Sequence, residues 1–94
     1  ENTRQQISAE ILSALAKYQF QQQIASLAKK RTELLKQFLS LTKRRYANGD
    51  IAKVDLDLAQ LAFAEAVALQ ADAEVNANQA LQTLRATTGL SQNN

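Results

Sequence analysis

The sequence predicts an all-α fold: a long antiparallel two-helix coiled-coil hairpin with helices at about residues 3–47 and 52–88. Three observations predict it. Proline is absent and glycine occurs only at Gly49 and Gly89, whereas β-rich and loop-rich folds need more turn-forming residues. Apolar residues recur at helical spacing on both sides of position 49. The one turn-forming cluster before the C-terminal region is Asn-Gly-Asp at 48–50, and a short turn between two long helices makes them antiparallel neighbours.

The first helix is predicted from an apolar stripe whose members follow one another at helical or coiled-coil spacings. No residue between 3 and 47 is a helix breaker, and the glutamines near position 20 are good helix formers. Lys43, Arg44 and Arg45 fall in the last turn, where cations interact favourably with the helix dipole. The stripe consists of Ile7, Ile11, Leu15, Tyr18, Leu27, Leu34, Phe38 and Leu41.

The turn is predicted at Gly49, which can take the left-handed conformation that closes a helix C-terminus. Asp50 is expected to cap the second helix, and Asp55 is expected in or near its first turn, where a carboxylate interacts favourably with the helix dipole.

The second helix carries two apolar stripes. The first is rich in alanine, which allows close antiparallel packing, and a strict heptad forms the second on an adjacent face. Two stripes on one helix predict that it packs against two neighbouring helices. The isolated chain is therefore expected to self-associate through its alanine-rich faces. Thr87, Thr88 and Gly89 are expected to end the helix, with a frayed tail after them. The first stripe is Val54, Leu58, Leu61 or Ala62, Ala66, Leu69, Ala73, Ala77, Ala80 and Leu84; the second is Val54, Leu61, Ala68 and Val75.

The charges of the two halves are complementary. Residues 1–49 carry a net charge of +6 and residues 50–94 a net charge of −4. Folding about Gly49 pairs residue i with about residue 99 − i. Each exposed ion pair contributes only ~0–1 kcal/mol, so these charges favour a register more than they stabilise the fold. The expected pairs are Asp55 and Asp57 with Lys43 and Arg44, Glu65 with Lys36, and Asp72 with Lys29.

The composition argues against several functions. The chain has no histidine and no cysteine, so the commonest general base, the commonest metal ligand and any thiolate site are missing. With no phosphate-binding glycine loop either, we expect neither an enzyme nor a bound cofactor or metal. The net charge of +2 does not indicate a nucleic-acid partner, and no apolar run approaches the length of a membrane span.

Residues 44–60 carry the most informative pattern in the chain. Arg45-Tyr46, Gly49, Ile51, Asp55 and Ala59-Gln60 stand at the spacing of a helical hairpin tip. This pattern resembles that of the TolC-like outer-membrane efflux proteins. The alanine-rich helix that leads to Leu81, Leu84 and Gly89, and the upstream Ala14, Tyr18 and Leu27, are similar to the family as well, so the resemblance covers nearly the whole chain.

The resemblance implies a fold and a function for a larger parent protein. Such proteins are homotrimers that combine an outer-membrane β-barrel with a periplasmic helical barrel, and hairpin tips dock onto a periplasmic adaptor that joins them to an inner-membrane pump. This chain, residues 1–94, would be one hairpin of a larger outer-membrane efflux protein and a periplasmic part of a duct for drug or metal-ion export. Many members place Leu and Ser where Asp50 and Ala52 stand here, and the Gly-Asp-Ile form is similar to the metal-ion branch.

The implied docking tip consists of Arg45, Tyr46, Asn48, Gly49, Asp50, Ile51 and Ala52. Asp55 and Asp57 would add an acidic ring at a trimeric entrance, where carboxylates attract cations. Plainer interpretations stay open: Gly49 as a helix terminator, Tyr46 packed across the turn with its hydroxyl in water, and the two aspartates as a solvated helix start paired with the basic residues before the turn.

Two other functions fit the same helices. A periplasmic adaptor (membrane-fusion) protein carries a similar coiled-coil hairpin, although the Arg-Tyr pair and the Thr-Thr-Gly ending favour the outer-membrane protein. Lipoyl-like β-strands beside the hairpin in the parent gene would indicate the adaptor. A purely structural dimerisation module would instead form a stable four-helix dimer and bind no pump component.

Overall fold

A computed structural model of the chain describes the backbone of residues 2–93 and the side-chain environment of residues 9–89. It contains helix α1, Asn2–Ala47, and helix α2, Lys53–Asn93, joined by residues 48–52. The described backbone has no strand. The predicted all-α two-helix hairpin is confirmed, and the predicted start and end of α1 and start of α2 are correct to within one residue.

The chain forms two compact units, each made of a segment from both helices. One unit comprises Glu1–Ala25 with Ala73–Asn94, and the other comprises Ser26–Asp72, which includes the turn. In each unit the inward-facing positions recur every three or four residues, which is the spacing of coiled-coil packing.

In the inner seam of the Ser26–Asp72 unit, meaning the line where α1 packs on α2, most of the buried side chains are small. Ala59 and Ala66 are buried on α2, and Thr32, Leu39 and Thr42 are buried on α1. Ala66 is only 2% exposed, and no large side chain among the described residues is fully buried. Small side chains at the contact allow two helix axes to approach closely. Half-buried members of the seam are Ala28, Leu35, Leu56, Phe63 and Gln70.

Thr32 shows the register of the two helices in this unit. Its hydroxyl oxygen lies 2.9 Å from the carbonyl oxygen of Ala28 and 3.2 Å from that of Ala66 on the opposite helix. A hydroxyl has one hydrogen to donate, so it serves one carbonyl at a time or shares the hydrogen between them. The pairing of Thr32 with Ala66 lies within one residue of the predicted register. The charge pairs expected from that register stay predictions.

The other unit has a seam of the same kind. Ala14 is buried on α1, and Ala73 and Ala77 are buried on α2. Ile11 and Tyr18, which belong to the predicted stripe of α1, are half-buried here. The side chain of Ile7, the first member of that stripe, lies outside the described side chains.

The predicted apolar stripes are only partly the ones that pack. On α1, Leu15, Leu27, Leu34, Phe38 and Leu41 are exposed, and on α2, Val54, Leu58, Leu61 and Leu69 are exposed. The predicted α2 stripe is correct at Ala62, the alternative to Leu61, at its alanines from Ala66 to Ala80 and at Leu84. The reason is geometric: each helix has one partner in the chain, and the alanine- and threonine-rich faces give the closest contact. The second α2 stripe, Val54, Leu61, Ala68 and Val75, is exposed throughout, as expected for a seam without a neighbour.

The predicted end of α2 at Gly89 is wrong. The helix continues to Asn93, and Gly49 is the only residue with positive φ in the described backbone. A glycine inside a helix costs about 1 kcal/mol relative to alanine, which weakens a helix without ending it, and no proline follows. In the helix before Gly89, the Thr83 and Thr87 hydroxyls donate to the carbonyls of Gln79 and Thr83.

Candidate docking surface at the turn

The C-terminus of α1 is closed by backbone hydrogen bonds around Gly49. The Gly49 N–H donates to the Tyr46 carbonyl at 3.0 Å, and the Asp50 N–H donates to the Arg45 carbonyl at 2.9 Å. With φ of 79° at Gly49, this is a Schellman motif, which satisfies carbonyls that the helix end would otherwise leave unpaired. The predicted left-handed glycine at the turn is confirmed. Arg44 and Arg45 lie in the last turn of α1, where their charge complements the helix dipole.

Asp50 does not occupy the capping position expected for it. Because α2 begins at Lys53, the N-cap residue is Ala52, and the Asp55 N–H donates to the Ala52 carbonyl at 3.1 Å. Asp50 instead belongs to the end of α1, because its backbone N–H donates to the Arg45 carbonyl. Asp55 lies in the first turn of α2, as predicted. The start of α2 therefore has an alanine where a hydrogen-bonding side chain is favoured.

Ala52→Ser is expected to stabilise the chain by about 0.5–2 kcal/mol, because a serine oxygen at the N-cap accepts a hydrogen bond from an unpaired N–H of the first turn. Urea unfolding followed by circular dichroism measures this. Ala47→Ser, a change at an exposed residue in the last turn of α1, is the matched control and should not stabilise. Equal effects of the two changes would show that Ala52 is not the cap.

The structure brings the seven predicted tip residues together at the turn. Six of them are exposed, and Ile51 alone is half-buried. Tyr46 is 40% exposed, so its ring is partly covered and partly in water. The backbone at Gly49 is open, because a Cβ built there would meet no atom within 4 Å. These residues therefore form a continuous surface that a partner can reach.

An apolar groove of about 360 Å³ adjoins the turn. Phe38, Leu41 and Leu58 line it, and Ile51 closes it on the side of the turn. Phe38 and Leu58 are more than half exposed. Arg45 and Asp55 add one positive and one negative charge to the lining. A groove of this chemistry suits the apolar face of a helix with polar flanks.

Sequence reasoning missed Phe38, Leu41 and Leu58 as surface residues. It assigned all three to packing stripes on the strength of their spacing. Each helix carries two sets of apolar residues at heptad spacing, and one packing partner covers only one set. This second set could have shown that some apolar residues stay on the surface.

Asp55 and Asp57, the two residues of the predicted acidic ring, are both exposed. Only Asp55 lines the groove, because residues two apart on a helix face different directions. The structure therefore does not join them in one paired-carboxylate site, and a ring around a trimeric entrance stays a prediction.

The described residues contain no group of three acidic, histidine or cysteine side chains that could hold a metal ion. No stretch of either helix, as far as the structure describes them, is long and apolar enough to span a bilayer. Comparison of the chain with protein-family models, curated proteins and solved structures gave no significant match.

Proposed function

We propose that this chain is a periplasmic helical hairpin of a TolC-like, trimeric outer-membrane efflux duct, and that its turn docks onto the periplasmic adaptor of a tripartite pump. In this role the helices form part of the wall of a helical barrel. The adaptor links them to an inner-membrane pump that exports drugs or metal ions.

The observation that carries the proposal is the surface around the turn. The Arg45-Tyr46 pair, Gly49 and Ile51, on which the resemblance depends, lie together and next to an apolar groove. A hairpin turn with only a connecting role needs the Schellman motif and no more. An exposed tyrosine and a groove walled by exposed Phe38 and Leu58 favour a partner that covers them.

The exposed stripes on both helices support the barrel part of the proposal. Each helix carries apolar residues that its partner within the chain leaves uncovered. A helix in the wall of a barrel has a neighbour on each side, so it needs two packing faces.

The test is binding of the 94-residue chain, alone and fused to a trimeric coiled coil, to the hairpin of the adaptor from the same pump. Asp50→Arg, at the turn, is expected to reduce affinity at least tenfold. Glu10→Arg makes a similar charge change at an exposed residue of the other unit and should leave affinity unchanged. Circular dichroism establishes that both variants keep their helices.

Three outcomes would overturn the proposal. Absence of saturable binding in both the monomeric and the trimeric form would leave a structural coiled coil. Equal loss of affinity in Asp50→Arg and Glu10→Arg would show that the turn is not the contact. If the chain bound a TolC-like duct and not an adaptor, the chain would itself be the hairpin of an adaptor.

A further inference from the structure

Asn48 and Gly49 form the only Asn-Gly step in the chain, and this step lies at the turn. Asparagine loses its side-chain amide most readily when glycine follows it, because glycine has no side chain to shield its backbone nitrogen and its backbone is the most permissive. In this structure Asn48 is exposed, and a Cβ built on Gly49 would meet no atom within 4 Å. The described residues around the turn therefore leave this step uncrowded.

The reaction at such a step needs only the two residues and water. The backbone nitrogen of Gly49 attacks the side-chain carbonyl carbon (Cγ) of Asn48, and the new C–N bond closes a five-membered succinimide ring. The side-chain nitrogen leaves as ammonia, which takes up the proton of the Gly49 N–H. Water then opens the ring at one of its two carbonyl carbons. Opening at the former side-chain carbonyl gives aspartate, and opening at the main-chain carbonyl gives isoaspartate, whose backbone runs through Cβ and Cγ.

The Schellman motif controls the attacking nitrogen. The Gly49 N–H donates to the Tyr46 carbonyl at 3.0 Å, and beside it the Asp50 N–H donates to the Arg45 carbonyl at 2.9 Å. Ring closure requires the peptide between Asn48 and Gly49 to rotate, so these hydrogen bonds must open before the nitrogen can attack. Chain segments outside helix interiors open locally at a lower cost in free energy than helix interiors do. The turn therefore slows the reaction without preventing it.

Asn76 and Asn78 are internal controls within the same chain. Both are exposed, as Asn48 is, but both lie inside α2. The residues that follow them are Ala77 and Gln79, whose side chains shield the backbone nitrogen. In a helix interior that N–H also donates to the carbonyl four residues earlier. These two asparagines therefore match Asn48 in exposure and lack both the glycine and the turn.

We propose that the turn is a self-modification site, at which Asn48 deamidates through attack by the Gly49 nitrogen at a rate set by opening of the Schellman motif. Both products carry a carboxylate at the C-terminus of α1, where the helix dipole disfavours a negative charge. Isoaspartate also adds one carbon to the backbone before Gly49, so the hydrogen bonds of the motif cannot all keep their present geometry. Deamidation therefore weakens the turn. The reaction requires no partner, so the inference holds or fails independently of adaptor docking.

Incubation of the folded chain in neutral buffer for several weeks, followed by tryptic digestion and mass spectrometry, tests the assignment. Trypsin places Asn48 in the peptide 46–53 and both control asparagines in the peptide 54–85. Each conversion replaces a side-chain NH₂ by OH, and chromatography separates the aspartyl from the isoaspartyl peptide. Asn48 is expected to convert at least tenfold faster than either control. A sample digested before incubation corrects for conversion during the digestion.

Asn48→Gln is the variant that removes the reaction. Glutamine keeps an amide at this position, but its ring closure would need a six-membered ring, which forms far more slowly, so the peptide 46–53 should stay unconverted. After the same incubation, the urea midpoint of the wild-type chain should fall with the converted fraction, whereas that of the variant should not move. An equal fall in both would overturn the turn as the place where modification weakens the chain.

Asp50→Pro tests the control that the turn exerts. Proline has no N–H, so the hydrogen bond to the Arg45 carbonyl is lost while Asn48 and Gly49 stay in place. Deamidation should be severalfold faster than in the matched Asp50→Ala, which loses the same carboxylate and keeps the N–H. Equal rates in the two variants, with helices retained by circular dichroism, would overturn control by the motif. An Asn48 that converts no faster than the control asparagines would overturn the proposal as a whole.

Discussion

Ala66→Leu is expected to lower the free energy of unfolding by about 1–3 kcal/mol, because extra methyl and methylene groups have no room at a closely packed position. Ala66 is 2% exposed, and its carbonyl oxygen lies 3.2 Å from the Thr32 hydroxyl on the opposite helix. A leucine there would push the helices apart, and the hydrogen bond between Thr32 and the Ala66 carbonyl would be lost with the contact.

The matched control for this change is Ala71→Leu. Ala71 is exposed on the same helix, and surface substitutions usually change stability by no more than about 0.5 kcal/mol. Urea unfolding at one fixed chain concentration measures both variants, since self-association would otherwise contribute to the apparent stability. If Ala66→Leu proved as stable as the control, close packing at Ala66 would be wrong.

Gly49→Ala is expected to destabilise the chain by about 1–2 kcal/mol, because a side chain disfavours the left-handed backbone conformation. The φ of Gly49 is 79°, and a Cβ at this position would meet no atom within 4 Å. The cost is therefore one of backbone conformation alone. A shift of the urea midpoint with unchanged initial helicity would show that the turn is strained and the helices are retained.

Gly89→Ala provides the opposite control. Gly89 lies inside α2, and a Cβ there also meets no atom. Alanine in a helix interior is favoured over glycine by about 0.5–1 kcal/mol, so this change should stabilise. The two glycine changes thus differ in sign although neither creates a steric clash. A destabilising Gly89→Ala would mean that the helix does end there, as its Thr-Thr-Gly sequence had suggested.

The sequence was sufficient for the secondary structure of this chain. The absence of proline and the single cluster at residues 48–50 predicted two helices and one turn, and both are present. Folding about Gly49 predicted a register, favoured by the opposite net charges of the two halves, that Thr32 and Ala66 match to within one residue. Helix propensity and turn chemistry depend on near neighbours in sequence, and net charge is a sum over many residues. Such local or averaged properties can be read from the sequence.

The candidate docking surface was predictable only in part. The tip residues followed from the pattern around Gly49, and the structure places them together with all but Ile51 exposed. The groove beside them was not predicted, because Phe38 and Leu58 have the spacing of core residues and only the packed structure shows that they line an open groove. The predicted capping role of Asp50 is wrong because its N–H donates to the Arg45 carbonyl in the Schellman motif. The second helix therefore begins later, at Lys53. Adaptor docking stays a prediction for the binding experiment.

The sequence by itself determined that this chain is two helices joined at Gly49, and roughly which residues lie level with each other. Only the tertiary structure decided which face of each helix is the inner seam. Both helices carry two heptad phases, and spacing alone treats them as equivalent. The choice depends on how closely two backbones can approach, which favours the faces with Thr32 and Ala66 over those with Leu34 and Leu61. The larger apolar residues are left on the outside, where another chain can reach them.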